Sequence, residues 1–133
     1  MLRHFQYLIV FGLLFSWVVN GQDIKVFKVT DFDLKGPVKS CTVVTNYGKE
    51  IFEFDQNGLL VQSTTKYNEV DMDVTRYKYL KGILVEKRME SYKESSLDLS
   101  SSLVNFYEID TTGLRKIKEK VVSMEKELFE QQE

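Results

Sequence analysis

Residues 52–60 of the chain read FEFDQNGLL, and this pattern returns closely at residues 107–115 as YEIDTTGLR and more loosely at residues 77–84 as YKYLKGIL. Each copy begins with two aromatic or β-branched residues two positions apart, which suits one face of a strand. A short polar run then ends at glycine, which permits the positive φ of a tight turn, and a second apolar run follows. Each copy therefore predicts one β-hairpin.

Strand signals also occupy most of the remaining chain. Apolar residues alternate over residues 23–30, a turn containing the chain's single proline follows at residues 33–37, and residues 38–46 predict another strand. Serine is frequent in residues 93–102, between the second and third copies. Because serine side chains compete for backbone hydrogen bonds, this stretch predicts a surface loop.

The predicted fold class is therefore all-β, with an antiparallel hairpin meander of about seven or eight strands. We expect the sheet to curve into a partly or fully closed up-and-down barrel, because closure removes exposed strand edges and can leave an interior cavity. An open single-layer sheet of repeated hairpins is the alternative.

The C-terminal segment carries two competing periodicities. Leu114, Ile117, Val121, Met124 and Leu128 follow helical spacing, and the residues around them are good helix formers. The hairpin pattern instead predicts that the same region begins as a strand. We predict a strand from about residue 114 to residue 122, followed by a short C-terminal helix or frayed tail, with a helix over the whole segment as the alternative.

The N-terminal segment predicts a secretory signal peptide at residues 1–21. Arg3 and His4 form a short cationic start, residues 5–19 are almost continuously apolar, and small residues precede a cleavage position near Gly21. The apolar stretch is shorter than the roughly 20 residues that span a bilayer. We therefore expect residues 22–133 to form a single β domain in the periplasm or outside the cell, with membrane contact restricted to the signal peptide before its cleavage.

Composition narrows the possible functions. The chain has 18 basic and 20 acidic side chains, and its single histidine, His4, lies in the predicted signal peptide. A domain without histidine excludes Ser-His-Asp and Cys-His nucleophile systems and His-ligated zinc. The mild acidity offers no basic patch for nucleic acid. The lone Cys41 favours a buried, inert thiol, and we predict neither an enzyme nor a cofactor.

The clearest candidate for a metal site is the acidic run of Glu69, Asp71 and Asp73. Its alternating carboxylates would share one face of a strand, and their oxygens suit Ca²⁺. No glycine-containing calcium loop follows them, so a solvated hairpin tip is the preferred interpretation and no metal site is predicted. Asp55 and Asp110, at the starts of two turns, predict side-chain caps of the turn amides.

The aromatic residues supply the candidate ligand contacts, although most are expected to pack in the sheet. Tyr77 and Tyr79 come first because their hairpin has the least standard turn, and Tyr67 is a weaker candidate. We predict a non-catalytic binding or interaction module that contacts a glycan or a partner protein through exposed aromatic side chains. The alternative is a small barrel that carries an apolar ligand in its interior.

The hairpin cores at residues 54–59 and 109–114, which share the pattern D-x-x-G-L after an apolar residue, resemble YD repeats of bacterial wall-associated and secreted proteins. The layout is also similar to small uncharacterised secreted proteins of Bacteroidetes-type bacteria. The resemblance covers about residues 51–122, and the second copy departs from it because Leu80 replaces the aspartate and its loop is one residue shorter. It implies surface or periplasmic placement and carbohydrate contact, and it supplies no catalytic residues.

Overall fold

The computed structural model describes residues 24–113 and 115–130. The predicted signal peptide at residues 1–21, its cleavage position and Leu114 lie outside the described residues. The described chain contains a short 3₁₀-helix, seven strands and a C-terminal helix, α1. Their bounds are Val29–Phe32 for the 3₁₀-helix, Ser40–Thr45 (β1), Gly48–Phe54 (β2), Leu60–Lys66 (β3), Met72–Leu80 (β4), Ile83–Lys93 (β5), Ser96–Asp110 (β6), Lys116–Ser123 (β7) and Met124–Glu130 (α1).

The strands form one antiparallel sheet in which each strand pairs with its neighbour in the chain, in the order β1 to β7. This confirms the all-β hairpin meander and the short C-terminal helix, and the strand at β7 confirms the predicted change from strand to helix. The sheet stays open, with β1 and β7 as its edges. The expected barrel closure is not formed among the described strands, and the open arrangement that the sequence left as the alternative is present.

An N-terminal segment, residues 27–38, explains how an open sheet can still bury a core. Phe27, Phe32 and Val38 from this segment pack against a buried cluster that includes Phe54 and Leu60. The ring of Phe32 lies 5.3 Å from that of Phe54 in an edge-on arrangement, a geometry that aromatic pairs favour. The apolar surface of the first strands is therefore covered by chain from outside the sheet, not by closure of the sheet on itself.

The strand expected at residues 23–30 is not formed in the part that the structure describes, residues 24–30. Pairing of these residues with the sheet is limited to an isolated bridge between Lys28 and Leu59, and the 3₁₀-helix follows directly. The carboxylate of Asp31 accepts a hydrogen bond from the backbone N–H of Lys28 at 2.7 Å. This local bond satisfies an amide at the helix start, so the chain turns where the alternation of apolar residues predicted a continuing strand.

The aspartates of the first and third hairpins bond their turns as predicted, and Gly58 and Gly82 adopt the expected positive φ, whereas Gly113 does not. Asp55 accepts hydrogen bonds from the backbone N–H groups of Asn57 at 2.8 Å and Leu59 at 2.9 Å. Gly58 adopts a φ of 76°, a left-handed conformation that glycine enters with little steric cost. Asp110 likewise accepts from the backbone N–H of Thr112 at 2.9 Å. Both aspartates therefore hold turns, as their positions in the sequence indicated.

The serine-rich residues 93–102 form no simple loop. They extend the hairpin of β5 and β6, and the pairing shifts register between Met89 and Ser91. Ser102 bridges this irregularity, because its hydroxyl accepts from the N–H of Ser91 at 2.9 Å and donates to the carbonyl of Asp98 at 2.6 Å. The serine hydroxyl competes for backbone hydrogen bonds as expected, but it does so inside a strand.

Pairing register separates the sheet into two faces. The aromatic face carries Phe52, Tyr77 and Tyr107, and the charged face carries residues of opposite sign directly across neighbouring strands, in the pairs Lys78 with Glu86 and Glu108 with Lys118. Such pairs contribute modestly to strand pairing. Cys41 lies on the aromatic face opposite Phe52 and is half-buried against the core cluster.

Helix α1 contacts β6 and β7. The guanidinium of Arg88, on the charged face, donates two hydrogen bonds to the carboxylate of Glu127, at 2.8 and 3.0 Å. A bidentate pair of this kind fixes orientation as well as position. In the described part of the chain, no helix is both long enough and apolar enough to cross a membrane.

Candidate ligand-binding cleft

A cleft of about 820 Å³ opens on the aromatic face of β4 to β7. Its apolar and aromatic lining consists of Ile24, Phe27, Tyr77, Leu84, Tyr107 and Ile117. Its charged lining consists of Lys25, Lys87, Arg115 and Glu119. A concave site with apolar walls and a few polar groups is the usual form of a ligand pocket.

Strand register places these side chains in two neighbouring rows. Tyr77 lies opposite Lys87, and Lys87 lies opposite Asn105 on the next strand. Tyr107, two residues beyond Asn105 on the same face, lies opposite Glu119. Because neighbouring strands are about 4.8 Å apart, the first row spans about 10 Å from β4 to β6. The cleft floor is therefore set by backbone pairing, which holds its side chains on a rigid element.

The tyrosine hydroxyls of the cleft stay neutral at physiological pH. Burial raises the pKa of Tyr77 above its usual value. Burial also raises the pKa of Tyr107, and the nearby carboxylate of Glu119 adds to this effect. Both tyrosines can therefore present a neutral hydroxyl, which both donates and accepts hydrogen bonds, beside an aromatic ring.

Asn105 positions the carboxylate of the cleft. Its side-chain amide donates to Glu119 at 2.6 Å across β6 and β7. The other end of the same amide, the oxygen Oδ1, is buried and has no hydrogen-bond partner among the described residues. The Asn105 amide thus fixes Glu119 at the cleft wall while its own carbonyl oxygen is left unsatisfied.

The three tyrosines that the sequence singled out are placed differently. Tyr77 lines the cleft. Tyr79, two residues further along β4, donates its hydroxyl to the backbone carbonyl of Leu60, and burial raises its pKa to about 12. The hydroxyl of Tyr79 is therefore engaged in holding β4 to β3.

Tyr67 lies near the opposite end of the sheet, beyond the end of β3. Its side chain is 49% exposed, and its hydroxyl donates to Asp73 at 2.8 Å. Met72 pairs with Lys66, the residue before Tyr67. Met72 is five residues from Tyr77 along β4, a separation of about 17 Å in an extended strand. The structure therefore does not bring Tyr67 together with Tyr77.

Several cleft residues were not identified from the sequence. Lys87 is the one that the repeat could have indicated. It corresponds to Ser63 of the first hairpin, on the aromatic side of the return strand, where a cation is unusual. Arg115, Glu119 and Phe27 carried no such signal, since only the pairing of β6 with β7 and the path of the N-terminal segment bring them to the cleft.

The acidic hairpin tip is organised by hydrogen bonds within the chain. Asp71 accepts from the side-chain amide of Asn68 at 2.7 Å and from the backbone N–H of Glu94 at 2.9 Å, and these bonds lower its pKa. Glu69 lies outside β4, so the three carboxylates do not alternate along one strand. Over residues 24–113 and 115–130, no group of three or more potential ligands from His, Cys, Asp and Glu is arranged to hold a metal ion.

Comparison of the chain with protein-family models, with functionally described proteins and with solved structures finds no significant match. The resemblance to YD repeats stays a prediction.

Proposed function

We propose that this protein is a non-catalytic secreted or periplasmic binding module that holds a glycan in the cleft between Tyr77 and Tyr107. The observation that carries the proposal is the pairing of two aromatic side chains with hydrogen-bonding groups on one rigid patch of sheet. A sugar ring has an apolar C–H face that packs on an aromatic ring, and an edge of hydroxyls that both donate and accept hydrogen bonds. The cleft offers partners for both.

The polar groups fit this ligand class. Lys87 and Arg115 are donors without acceptor capacity, Glu119 is an acceptor, and the tyrosine hydroxyls serve in either role. Because sugar hydroxyls adapt to each of these partners, a mixed set of groups favours a saccharide over a purely apolar ligand. The alternative function, carriage of an apolar ligand, draws support from the apolar lining but lacks the enclosed interior of a closed barrel.

The cleft also supports a binding role over catalysis. Glycoside hydrolysis generally uses two carboxyl groups on opposite sides of the scissile bond. Among the described residues that line the cleft, Glu119 is the single carboxylate, and it already accepts a hydrogen bond from Asn105. This set of groups suits recognition of a ligand that leaves unchanged.

The test is binding of the protein, expressed from its full coding sequence and purified, to a polysaccharide array and to a fluorescent fatty-acid probe. Tyr77→Ala and Tyr107→Ala are the test variants. Tyr47→Ala is the matched control, because Tyr47 is 51% exposed and its hydroxyl bonds Glu50 in the β1–β2 hairpin, away from the cleft. Circular dichroism and thermal unfolding establish that each variant is folded.

Saturable glycan binding that both cleft variants abolish, and that Tyr47→Ala leaves unchanged, is the expected result. Uptake of the fatty-acid probe without a glycan signal would instead favour the carrier function. Absence of binding in both assays would reject the glycan proposal and direct the search to a protein partner.

A further inference from the structure

We infer that the glycan is anionic, and that its carboxylate or sulfate group lies against Lys87. This inference rests on the proposed function and adds the chemical class of the ligand. Its first support is a local reversal of charge. The chain has a formal net charge of −2, yet the described lining of the cleft carries three cationic side chains, Lys25, Lys87 and Arg115, against the single carboxylate of Glu119.

Lys87 is the cation best placed for a ligand. It is half-buried between Tyr77 on β4 and Asn105 on β6. Within the described part of the chain, its ammonium group has no ion-pair or hydrogen-bond partner, whereas the Lys93 ammonium is paired with Asp98 at 2.7 Å. An ammonium group without a partner in the chain can form a charge-assisted hydrogen bond with an anion bound beside it.

Lys25, two residues before the N-terminal segment, adds a second positive charge at the cleft. Its ammonium lies 4.7 Å from the centre of the Phe27 ring. A cation over an aromatic face is attracted by the electron density of the ring, so its position becomes better defined. Phe27 also packs against the core cluster, so this cation is supported by a residue anchored in the fold.

A second aromatic hollow, at the other end of the sheet, fits an anionic glycan less well than the cleft does. That hollow contains Tyr67 and Tyr92, but its charged lining is Asp71, Asp73, Glu94 and Lys93. An anionic ligand would meet like charge there, and like charges close together are repulsive. The two tyrosine-containing hollows therefore differ in the sign of ligand that they accept.

The experiment measures binding of the purified protein to three soluble polymers, which are polygalacturonate, dextran sulfate and neutral dextran. The expected result is binding to at least one anionic polymer that is about tenfold or more tighter than binding to dextran, because a charge-assisted hydrogen bond contributes at least that much. Binding should weaken as ionic strength rises from about 50 mM to about 500 mM, since salt screens surface charge. A preference between the two anionic polymers identifies the carboxylate or the sulfate as the ligand group.

Lys87→Gln tests the named residue, and Lys118→Gln is its control. Lys118 lies on the charged face opposite Glu108, and both substitutions remove one positive charge. Lys87→Gln should weaken binding to the anionic polymer about tenfold or more, and Lys118→Gln should leave it nearly unchanged. Equal effects of the two variants would overturn the inference, because the attraction would then depend on net charge alone.

The remaining outcomes separate this inference from the proposed function. Salt-independent binding to dextran that matches the anionic polymers and is lost in Tyr107→Ala would keep the proposed function and reject the anionic ligand. Absence of binding to every saccharide, including the wider array, would reject both.

Discussion

Replacing Ser102 with alanine should destabilise the domain far more than replacing its neighbour Ser101. Ser102 has 0% of its surface exposed, and its hydroxyl bonds both the N–H of Ser91 and the carbonyl of Asp98. Alanine removes both bonds at the register shift of β5 and β6. A lost hydrogen bond costs about 0.5–1.5 kcal/mol net, and up to about 3 kcal/mol where a buried group loses its partner, so we expect the two bonds together to contribute about 2–4 kcal/mol to the free energy of unfolding.

Urea unfolding followed by circular dichroism measures this loss directly. The slope of the transition should not change, because Ser102→Ala removes two bonds without altering the surface that unfolding exposes. The thermal midpoint should fall by roughly 10 °C, at about 4 °C or more for each kcal/mol.

Ser101→Ala is the matched control for Ser102→Ala. Ser101 is exposed, and its hydroxyl bonds the carboxylate of Asp98, which also has Lys93 as a partner. We expect its effect to remain below about 0.5 kcal/mol, as for most surface substitutions. Equal effects of Ser101→Ala and Ser102→Ala, or a Ser102→Ala effect below the same limit, would refute the bridging role of Ser102.

Three further predictions address the core, a turn and acid stability. Leu84→Ala should cost about 2–5 kcal/mol in the free energy of unfolding, because Leu84 is 2% exposed, whereas Leu80→Ala, at a 63% exposed position, should be nearly neutral; similar denaturation midpoints would contradict the burial argument. Gly48→Ala should prevent accumulation of folded protein, because the added Cβ would lie 1.8 Å from the carbonyl oxygen of Lys66. The Cβ of Gly82→Ala meets no atom within 4 Å, so this control should cost only about 1–2 kcal/mol for its positive φ. A soluble Gly48→Ala protein of unchanged thermal midpoint would be inconsistent with this packing. Hydrogen bonds from Arg88 hold the pKa of Glu127 below its usual value of 4.5. The contribution of Glu127 to the stability of the fold is therefore complete above pH 4.5 and is lost as the pH falls through the folded-state pKa. Glu127→Gln should be less stable than the wild type at pH 7, with the difference shrinking in acid, and a difference independent of pH would exclude this linkage.

The hairpins could be predicted from sequence because their determinants are local. Asp55 and Gly58 lie in one turn, and each performs its role through atoms within four residues along the chain. The change from strand to helix near Met124 was also readable, since helix formers cluster after the last strand position. Local chemistry of this kind does not depend on where distant segments pack.

The expectations that the structure overturns depend on contacts between segments that are distant in the sequence. Alternation over residues 23–30 is a valid strand pattern, but a strand requires a partner, and in the described part of this segment only Lys28 obtains a bridge. Sheet closure likewise depends on what covers the apolar face, and the docking of Phe32 on Phe52 and Phe54 was not visible in the sequence. Side-chain competition for backbone bonds usually ends regular structure and therefore predicts a loop over the serine-rich stretch, whereas Ser102 uses that same bonding to bridge a register shift.

The cleft was predictable only in part for the same reason. The two-residue period places Tyr77 and Tyr107 on one side of their hairpins, and this much follows from the repeat. Which charged residues face them depends on register between strands, and a one-residue change would move each partner to the other face. Lys87 opposite Tyr77 and Glu119 opposite Tyr107 are therefore consequences of pairing that no single hairpin specifies.

The three hairpin copies place equivalent residues in three different environments, and their chemistry follows the environment. In the first copy the position is Phe52, packed beneath Phe32 and the core cluster. In the second it is Tyr77, which belongs both to the edge of that cluster and to the cleft, and in the third it is Tyr107, which lines the cleft. A buried site without a partner penalises a hydroxyl, whereas a site that faces a ligand can use one. The change from phenylalanine to tyrosine thus follows the change from core to cleft, so one repeated strand position supplies the core at β2 and lines the cleft at β4 and β6.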